Sequence, residues 1–320
     1  MGASRCVVCV ALLFVCARNA AASPLPSWND GPARARIVAF VQAVTDPLSP
    51  SFVPAAERIA AFDNDGTLWA EKPYYFPISF AIDRALALLE EHPEWRHREP
   101  FATLARDPQA PLDDAQMRIL QAEIFAGSTP ESFGQQVDAW RRTGRHPRFH
   151  TPYEALTYKP MLELLAWLEQ KGFATYISSG AETEFLRRFC PELYGIPVER
   201  IIGTPMEMVA QAGPQGLTLL RLDHAGRPLN EGPGKAIHLQ RQVGRRPILA
   251  VGNSDGDIEM LQFARAARRP SLGVLLRHDD AEREYAYEDR AERAHAIAAA
   301  NDWVVVSMKD DFARVFEAAP

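Results

Sequence analysis

The chain has 320 residues, 47% hydrophobic and 24% charged, enough to bury a sizeable core as one large domain with an insertion or as two modest domains. Its formal net charge is −6, with acidic and basic residues interspersed. That pattern excludes the basic stripe with which nucleic-acid-binding proteins displace counterions, so no nucleic-acid partner is expected.

The first 22 residues read as a secretory signal peptide: Arg5 precedes an apolar stretch from Val7 to Ala17, and the small residues Ala20, Ala21 and Ala22 follow. The stretch is too short to span a bilayer comfortably, and no later segment supplies the length. A lipoprotein signal fits less well, because Val15 rather than a small residue precedes Cys16. The expectation is an exported chain, secreted or periplasmic, without a stable membrane anchor. Cys6, Cys9 and Cys16 leave with the leader, so Cys190 is the one remaining thiol and no intrachain disulfide is possible. Loss of Arg5 and Arg18 takes the charge from −6 to −8.

Residues 32–45 place Ile37, Val38, Phe40, Val41 and Val44 at helical spacing, and Asp46-Pro47 ends the pattern. A Pro- and Ser-rich stretch then leads to the apolar run 59–62, which ends in Asp63-Asn64-Asp65-Gly66-Thr67. Two carboxylates two positions apart, where a strand opens into a Gly-containing loop, are compatible with metal binding, with catalysis or with a plain turn. Residues 70–157 hold no convincing strand, but helical spacing recurs over 78–91, 113–126 and 130–142. So long a gap must have structure of its own, and an α-helical cap domain is expected there.

Short apolar strand candidates follow at 174–177, 200–203, 247–251, 272–276 and 303–307, with helical patterns at 161–170 and 235–243. Residues 203–231 look like a small hairpin. Strands alternating with helices predict an α/β fold with a Rossmann-like, largely parallel sheet, whose ligands lie beyond the strands' carboxyl ends. The domain division expected is a core of 23–69 and 158–320 with the cap at 70–157.

Three further motifs complete a set in chain order: Ser178-Ser179-Gly180, Lys235 in a Gly-Pro-Gly-Lys context, and Gly252-Asn253-Ser254-Asp255-Gly256-Asp257. The first, second and fourth each terminate a predicted strand. With them, nearly the whole mature chain resembles the haloacid dehalogenase superfamily of phosphohydrolases. The cap between the first two motifs is similar to that of phosphoserine-phosphatase-type enzymes and exported acid phosphatases.

The resemblance implies a Mg2+-dependent phosphomonoester hydrolase in which Asp63 is the nucleophile that forms an aspartyl-phosphate and Asp65 moves protons. It implies phosphate contacts from Asn64, Thr67, Ser179, Gly180 and Lys235, and metal ligation by Asp63, Asp65, Asn253 and Asp257, with Asp255 an additional candidate. Asn253 departs from the family's commonest pattern, which has Asp there; an amide oxygen ligates magnesium but brings no charge. The second acid, Asp65, argues against carbon–halogen cleavage. A non-catalytic phospho-ligand- or metal-binding protein on the same fold is the contrasting reading. The partner expected is a small phosphomonoester. Trp69, Glu71, Tyr74 and Tyr75 form an aromatic cluster with an acid that could receive an ammonium group, as in phosphoserine, phosphocholine or phosphoethanolamine, or could simply pack hinge against sheet. Lys159 is expected to be structural. Arg145, His146, Arg148 and His150 show no metal-ligand spacing and are expected as surface or cap-edge charge.

Overall fold

The apolar run Ile59–Phe62 forms strand β1 and is buried along its whole length. Ala60 and Phe62 enter one apolar cluster and Ala61 the other, because alternate side chains leave a strand on opposite faces. A strand flanked this way needs cover on both sides, and helices supply it. The computed structural model describes residues 24–214, 216–266 and 269–318. The leader expected over residues 1–22, with Cys6, Cys9 and Cys16, lies outside the described residues.

In chain order, helix α1 (Pro32–Thr45) precedes β1, and α2 (Phe76–Glu91), α3 (Phe101–Arg106), α4 (Asp114–Phe125), α5 (Pro130–Thr143) and α6 (Lys159–Gln170) follow it. Then come β2 (Ala174–Glu182), α7 (Thr183–Leu186), α8 (Cys190–Tyr194), β3 (Ile201–Thr204) and the pair β4 (Met206–Gly213) and β5 (Gly216–Ala225). The chain closes through α9 (Pro233–Val243), β6 (Leu249–Gly252), α10 (Ile258–Arg265), β7 (Leu272–Arg277), α11 (Glu292–Ala298), β8 (Val304–Ser307) and α12 (Met308–Asp311).

Six strands form one sheet in the order β3-β2-β1-β6-β7-β8, and every neighbouring pair is parallel. The chain builds outward from β1 to β3, returns to the other side of β1 and builds outward again through β6. The order therefore reverses between β1 and β6, and a crevice opens at that point beyond the strands' carboxyl ends. One face of the sheet packs Ile37 and Val41 of α1 with Leu164, Leu165 and Leu168 of α6. The other packs Leu239 of α9, Ile258 and Leu261 of α10 and Ala294 of α11.

Helices α2 to α5 occupy the long interval between β1 and β2. Sequence chemistry sets their ends: Asp113 and Gln116 form a reciprocal cap on α4, and Thr129 with Ser132, followed by Pro130, starts α5. They enclose a cluster of their own around Ile82, Leu89, Phe101, Leu104 and Leu120. Their aromatic face also continues into the main core, where Phe80 and Trp140 meet Phe185 of α7. The antiparallel pair β4–β5 is the hairpin expected over 203–231. Arg221 at its base is buried against Phe133 and paired with Glu182, which ties hairpin, insertion and sheet together. No helix among the described residues is long and apolar enough to cross a membrane.

Candidate active site

The loop after β1 turns both carboxylates into the crevice. The Asp63 amide extends the sheet by donating to the Val251 carbonyl at 2.9 Å. The Asn64 carbonyl then accepts from the amides of Thr67 and Leu68, which closes a tight turn. Gly66 sits in that turn at φ +74°, a backbone region that a side chain would strain. Asp63 and Asp65 end up almost wholly buried, at 5% and 8% exposure.

Lys235 comes from the first turn of α9 and is as deeply buried as the acids it meets. Its ammonium donates to Asp63 Oδ1 and to Asp257 Oδ1, both at 2.5 Å. The second oxygen of Asp257 accepts from the amides of Asn253 and Ser254 and from the Ser254 hydroxyl. Both oxygens of Asp257, expected on a metal, are thus engaged by the lysine and by the turn after β6. Asp255 accepts from the Ala294 amide at the start of α11, at 2.8 Å, through one of its two oxygens. Burial pushes the Asp63 carboxyl well above its ordinary range, Asp257 pushes it further, and Lys235 pulls it back. Two buried carboxylates, Asp63 and Asp257, share this one ammonium, which Asp65 feels only through space.

Asp65 has neutral partners. The Trp69 indole N–H donates to its Oδ1 at 2.9 Å and the Ser179 hydroxyl to its Oδ2 at 3.1 Å. Burial raises its pKa and these two donors partly offset the rise, so the proton is held more tightly than on an exposed aspartate. Ser179 is therefore the serine that faces the crevice. The Ser178 hydroxyl is turned to Asn230, whose side-chain amide also holds the carbonyls of Ser179 and Ile202. Trp69, expected at the substrate, is fully buried between the rings of Phe76 and Phe189 and serves Asp65 from behind.

Thr67 and Glu71 hold Asn253 between them. The Thr67 hydroxyl lies 3.1 Å from Asn253 Oδ1 and 3.4 Å from Asp63 Oδ2, and Asn253 Nδ2 donates to Glu71 Oε1 at 3.1 Å. Glu71 also accepts from the Tyr287 hydroxyl at 2.7 Å. Its carboxyl is pushed up to about 7 by burial, against the lowering effect of His278 and of the tyrosine hydrogen bond. Glu71, Tyr75, Tyr287 and Arg290 line a cleft beside Asn253. Tyr75 is half-buried, 3.4 Å from the Arg290 guanidinium. Tyr74 instead points to the Gln109 carbonyl in the insertion.

The remaining expectations divide. Lys159 pairs with Glu317 away from the crevice, in keeping with a structural role. His146, expected as surface or cap-edge charge, is fully buried: one ring nitrogen donates to the Lys72 carbonyl at 2.6 Å and the ring stacks on Phe149. Arg148 braces the carbonyls of Ala281 and Glu284. Five residues near the site escaped sequence reasoning: Tyr194, which donates to Asn64 Oδ1 at 2.9 Å, and Asn230, His278, Glu284 and Tyr287. Only Asn230 carried a signal, its place just ahead of the Gly-Pro-Gly-Lys stretch.

A divalent cation would find oxygen donors here. Asp63 Oδ2 and Asn253 Oδ1 converge on the Thr67 hydroxyl, hard ligands of the kind magnesium takes. No three His, Cys, Asp or Glu side chains among the described residues gather closely enough to hold an ion by themselves. Magnesium ordinarily rests on one or two carboxylates and completes its shell with water and substrate phosphate, which suits this set. Two buried carboxylates on one ammonium leave negative charge that a bound cation would neutralise.

Comparison with known proteins agrees with the fold. A family model described as haloacid dehalogenase-like hydrolase matches residues 60–262, more than half of the chain. No curated protein matches. Among solved structures, a protein with unknown function from Bordetella pertussis Tohama I aligns at a TM-score of 0.51 and 14% identity, over 78% of this chain and 98% of that one. A conserved functionally unknown protein from Anaerococcus prevotii DSM 20548 aligns at 0.53 and 14%, over 90% of this chain and 96% of that one. A phosphoserine phosphohydrolase-like protein from Francisella tularensis subsp. tularensis SCHU S4 aligns at 0.39 and 13%, over 75% and 92%. With the matched segment running from β1 into α10, the chain belongs to the haloacid dehalogenase-like hydrolase family.

Proposed function

We propose that this protein is an exported, Mg2+-dependent phosphomonoesterase that works through an aspartyl-phosphate on Asp63. The observation that carries the reading is the division of labour between two acids on one turn: Asp63 lies on an ammonium, and Asp65 lies on two neutral donors. A phosphomonoester is close to a dianion near neutral pH, so a carboxylate meets its phosphorus only where positive charge is supplied. Lys235 supplies one charge. Magnesium, when bound near Asp63 and Asn253 and the loop of Asp65, supplies the rest and orients the phosphoryl oxygens.

Asp63 then attacks phosphorus, and the bond to the ester oxygen breaks as Asp65 gives that oxygen its proton. The raised pKa of Asp65 suits this acid role. In the second half Asp65 takes a proton from water, the water oxygen attacks phosphorus, and Asp63 is released. Ser179 and Lys235, with the amides of Asn64 and Gly180, are the phosphate contacts in this reading, and Trp69 keeps Asp65 aimed.

Helices α2 to α5 are the cap in this reading. Glu71, Tyr75 and Tyr287 beside Asn253 support amine-bearing monoesters as the substrates to try first. Export is supported by the apolar run from Val7 to Ala17 and its small-residue exit.

The deciding experiment is a panel of small phosphomonoesters assayed with magnesium, with chelator, and with Asp63→Asn. Phosphate release that needs both the metal and Asp63 is the expected result. Absence of release from every ester between about pH 4 and pH 8 would refute the reading in favour of a binding protein.

A further inference from the structure

The residue after β7, His278, lies outside the segment that matches the family and yet reaches the catalytic turn. Its Nε2 is 2.7 Å from the Gly66 carbonyl, and since a carbonyl only accepts, this nitrogen carries a proton and donates. Its Nδ1 faces a second acceptor, Glu284 Oε2, at 3.3 Å. Glu284 is wholly buried and is steadied by the Tyr285 amide, which donates to the same oxygen at 2.7 Å. A ring set between two acceptors in a dry site is held in one orientation. The balance of influences agrees: burial lowers the His278 pKa, but Glu284, Glu71 and the Gly66 carbonyl outweigh it and the net shift is upward.

The same short strap makes a second contact. The Tyr287 amide donates to the His278 carbonyl, and the Tyr287 ring stacks on the imidazole with centroids 4.4 Å apart. Its hydroxyl then reaches Glu71, which holds the Asn253 amide. The strap is itself anchored, by Arg148 on the carbonyls of Ala281 and Glu284 and by Arg283 on those of Met308 and Phe312.

We infer that His278, oriented by Glu284, is a positioning residue for the catalytic turn: it fixes the Gly66 carbonyl and so the backbone that aims Asp65, while Tyr287 fixes Asn253 through Glu71. The inference rests on the phosphohydrolase reading for its kinetic consequence. Gly66 sits at φ +74° with no side chain to hold the turn, and glycine's wide conformational freedom leaves its carbonyl to be fixed by a neighbouring contact. A small displacement of a proton donor is costly, with losses reaching about 100-fold for a shift of about 1 Å.

The test compares His278→Ala, His278→Gln and Glu284→Gln in para-nitrophenyl phosphate hydrolysis, with melting temperatures recorded alongside. His278→Ala is expected to lower kcat by about tenfold or more while KM stays within about twofold. His278→Gln keeps an N–H for the Gly66 carbonyl and is expected to recover most of that loss. A folded His278→Ala protein with wild-type kcat, or one that His278→Gln does not improve, overturns the inference. Should His278→Ala fail to fold, Glu284→Gln takes its place: a kcat-selective loss is expected, and an unchanged kcat is contradictory. Amide hydrogen exchange separates this inference from the enzymatic reading. Exchange across residues 63–69 is expected to quicken in His278→Ala and to return toward wild type in His278→Gln, with residues 174–182 unchanged, whether or not the wild type hydrolyses esters. Unaltered exchange at 63–69 is evidence against the positioning role.

Discussion

Two buried polar clusters flank the turn of Asp63 and Asp65, and their charge balance differs. Around Lys235, two carboxylates share one ammonium with Asp65 close by, and burial drives Asp63 well above its ordinary pKa. Around His278, one imidazole meets one carboxylate, with tyrosines on its faces. A buried excess of charge is expensive and persists where a ligand completes it, whereas a balanced pair can simply hold backbone in place. In the proposed reading, the first cluster is where a cation and a phosphate bind and the second is the frame that aims them.

The largest effect that would break this contrast is at Asp63 itself. Asp63→Asn is expected to lower kcat by roughly 10³-fold or more and yet to stabilise the metal-free protein, because it removes one of three mutually repelling acids. A variant that is both inactive and less stable would mean that the excess charge is not real. Lys235→Met should act on both properties in the same direction. It strands two buried carboxylates, with an expected cost of about 3–5 kcal/mol in urea unfolding and a fall in kcat of roughly 10²-fold or more.

Magnesium sharpens the contrast through pH. The folded-state pKa of Asp63 is raised, so its contribution to stability is full below the ordinary aspartate value and is lost as pH rises through the folded value. A cation that binds the ionised carboxylate restores what is lost. The gain in melting temperature on adding magnesium is therefore expected to grow from about pH 5 to about pH 8. A gain independent of pH would place the ion elsewhere. The smallest effect is at Trp69. Trp69→Phe removes a donor that lowers the Asp65 pKa, so the alkaline limb of the kcat profile should move to higher pH with less than about a tenfold loss of rate. An unmoved limb would separate Trp69 from the proton step.

The parts of this site that were legible in sequence are those carried by strand ends. Asp63 and Asn253 follow the buried strands β1 and β6, whereas Ser179 lies within β2, which runs on to Glu182 past the end expected at residue 177, and the parallel sheet brings the three together. The helix over 32–45 was equally legible, because Ile37, Val41 and Val44 mark one face and Asp46-Pro47 stops it. The three inserted helices expected over 78–91, 113–126 and 130–142 matched α2, α4 and α5 to within a residue or two at most ends. The short α3, with six residues, carries too little periodicity to be read.

What stayed hidden depends on contacts between distant segments. His278 meets Gly66 across 212 positions, and no local pattern around a lone histidine signals that. Asp257 reads as a ligand from its spacing, but only the fold places Lys235 between it and Asp63. His146 sits among arginines and reads as surface, while the packing of Phe149, Tyr153 and the Lys72 carbonyl buries it. Glu71 and Trp69 stand beside the site, as their place just after the first motif suggests. Their partners, Asn253 and Asp65, explain why an acid and an indole stand just after the motif.

The most direct test of the central claim is chemical capture of the intermediate. Enzyme turning over a phosphomonoester with magnesium is quenched in acid and reduced with borohydride, which converts an acyl phosphate to the corresponding alcohol, and the peptides are sequenced by mass spectrometry. The account predicts homoserine at position 63, absent without substrate and absent in Asp63→Asn. Homoserine at another residue, or an unmodified Asp63 in enzyme that is demonstrably releasing phosphate, would contradict it.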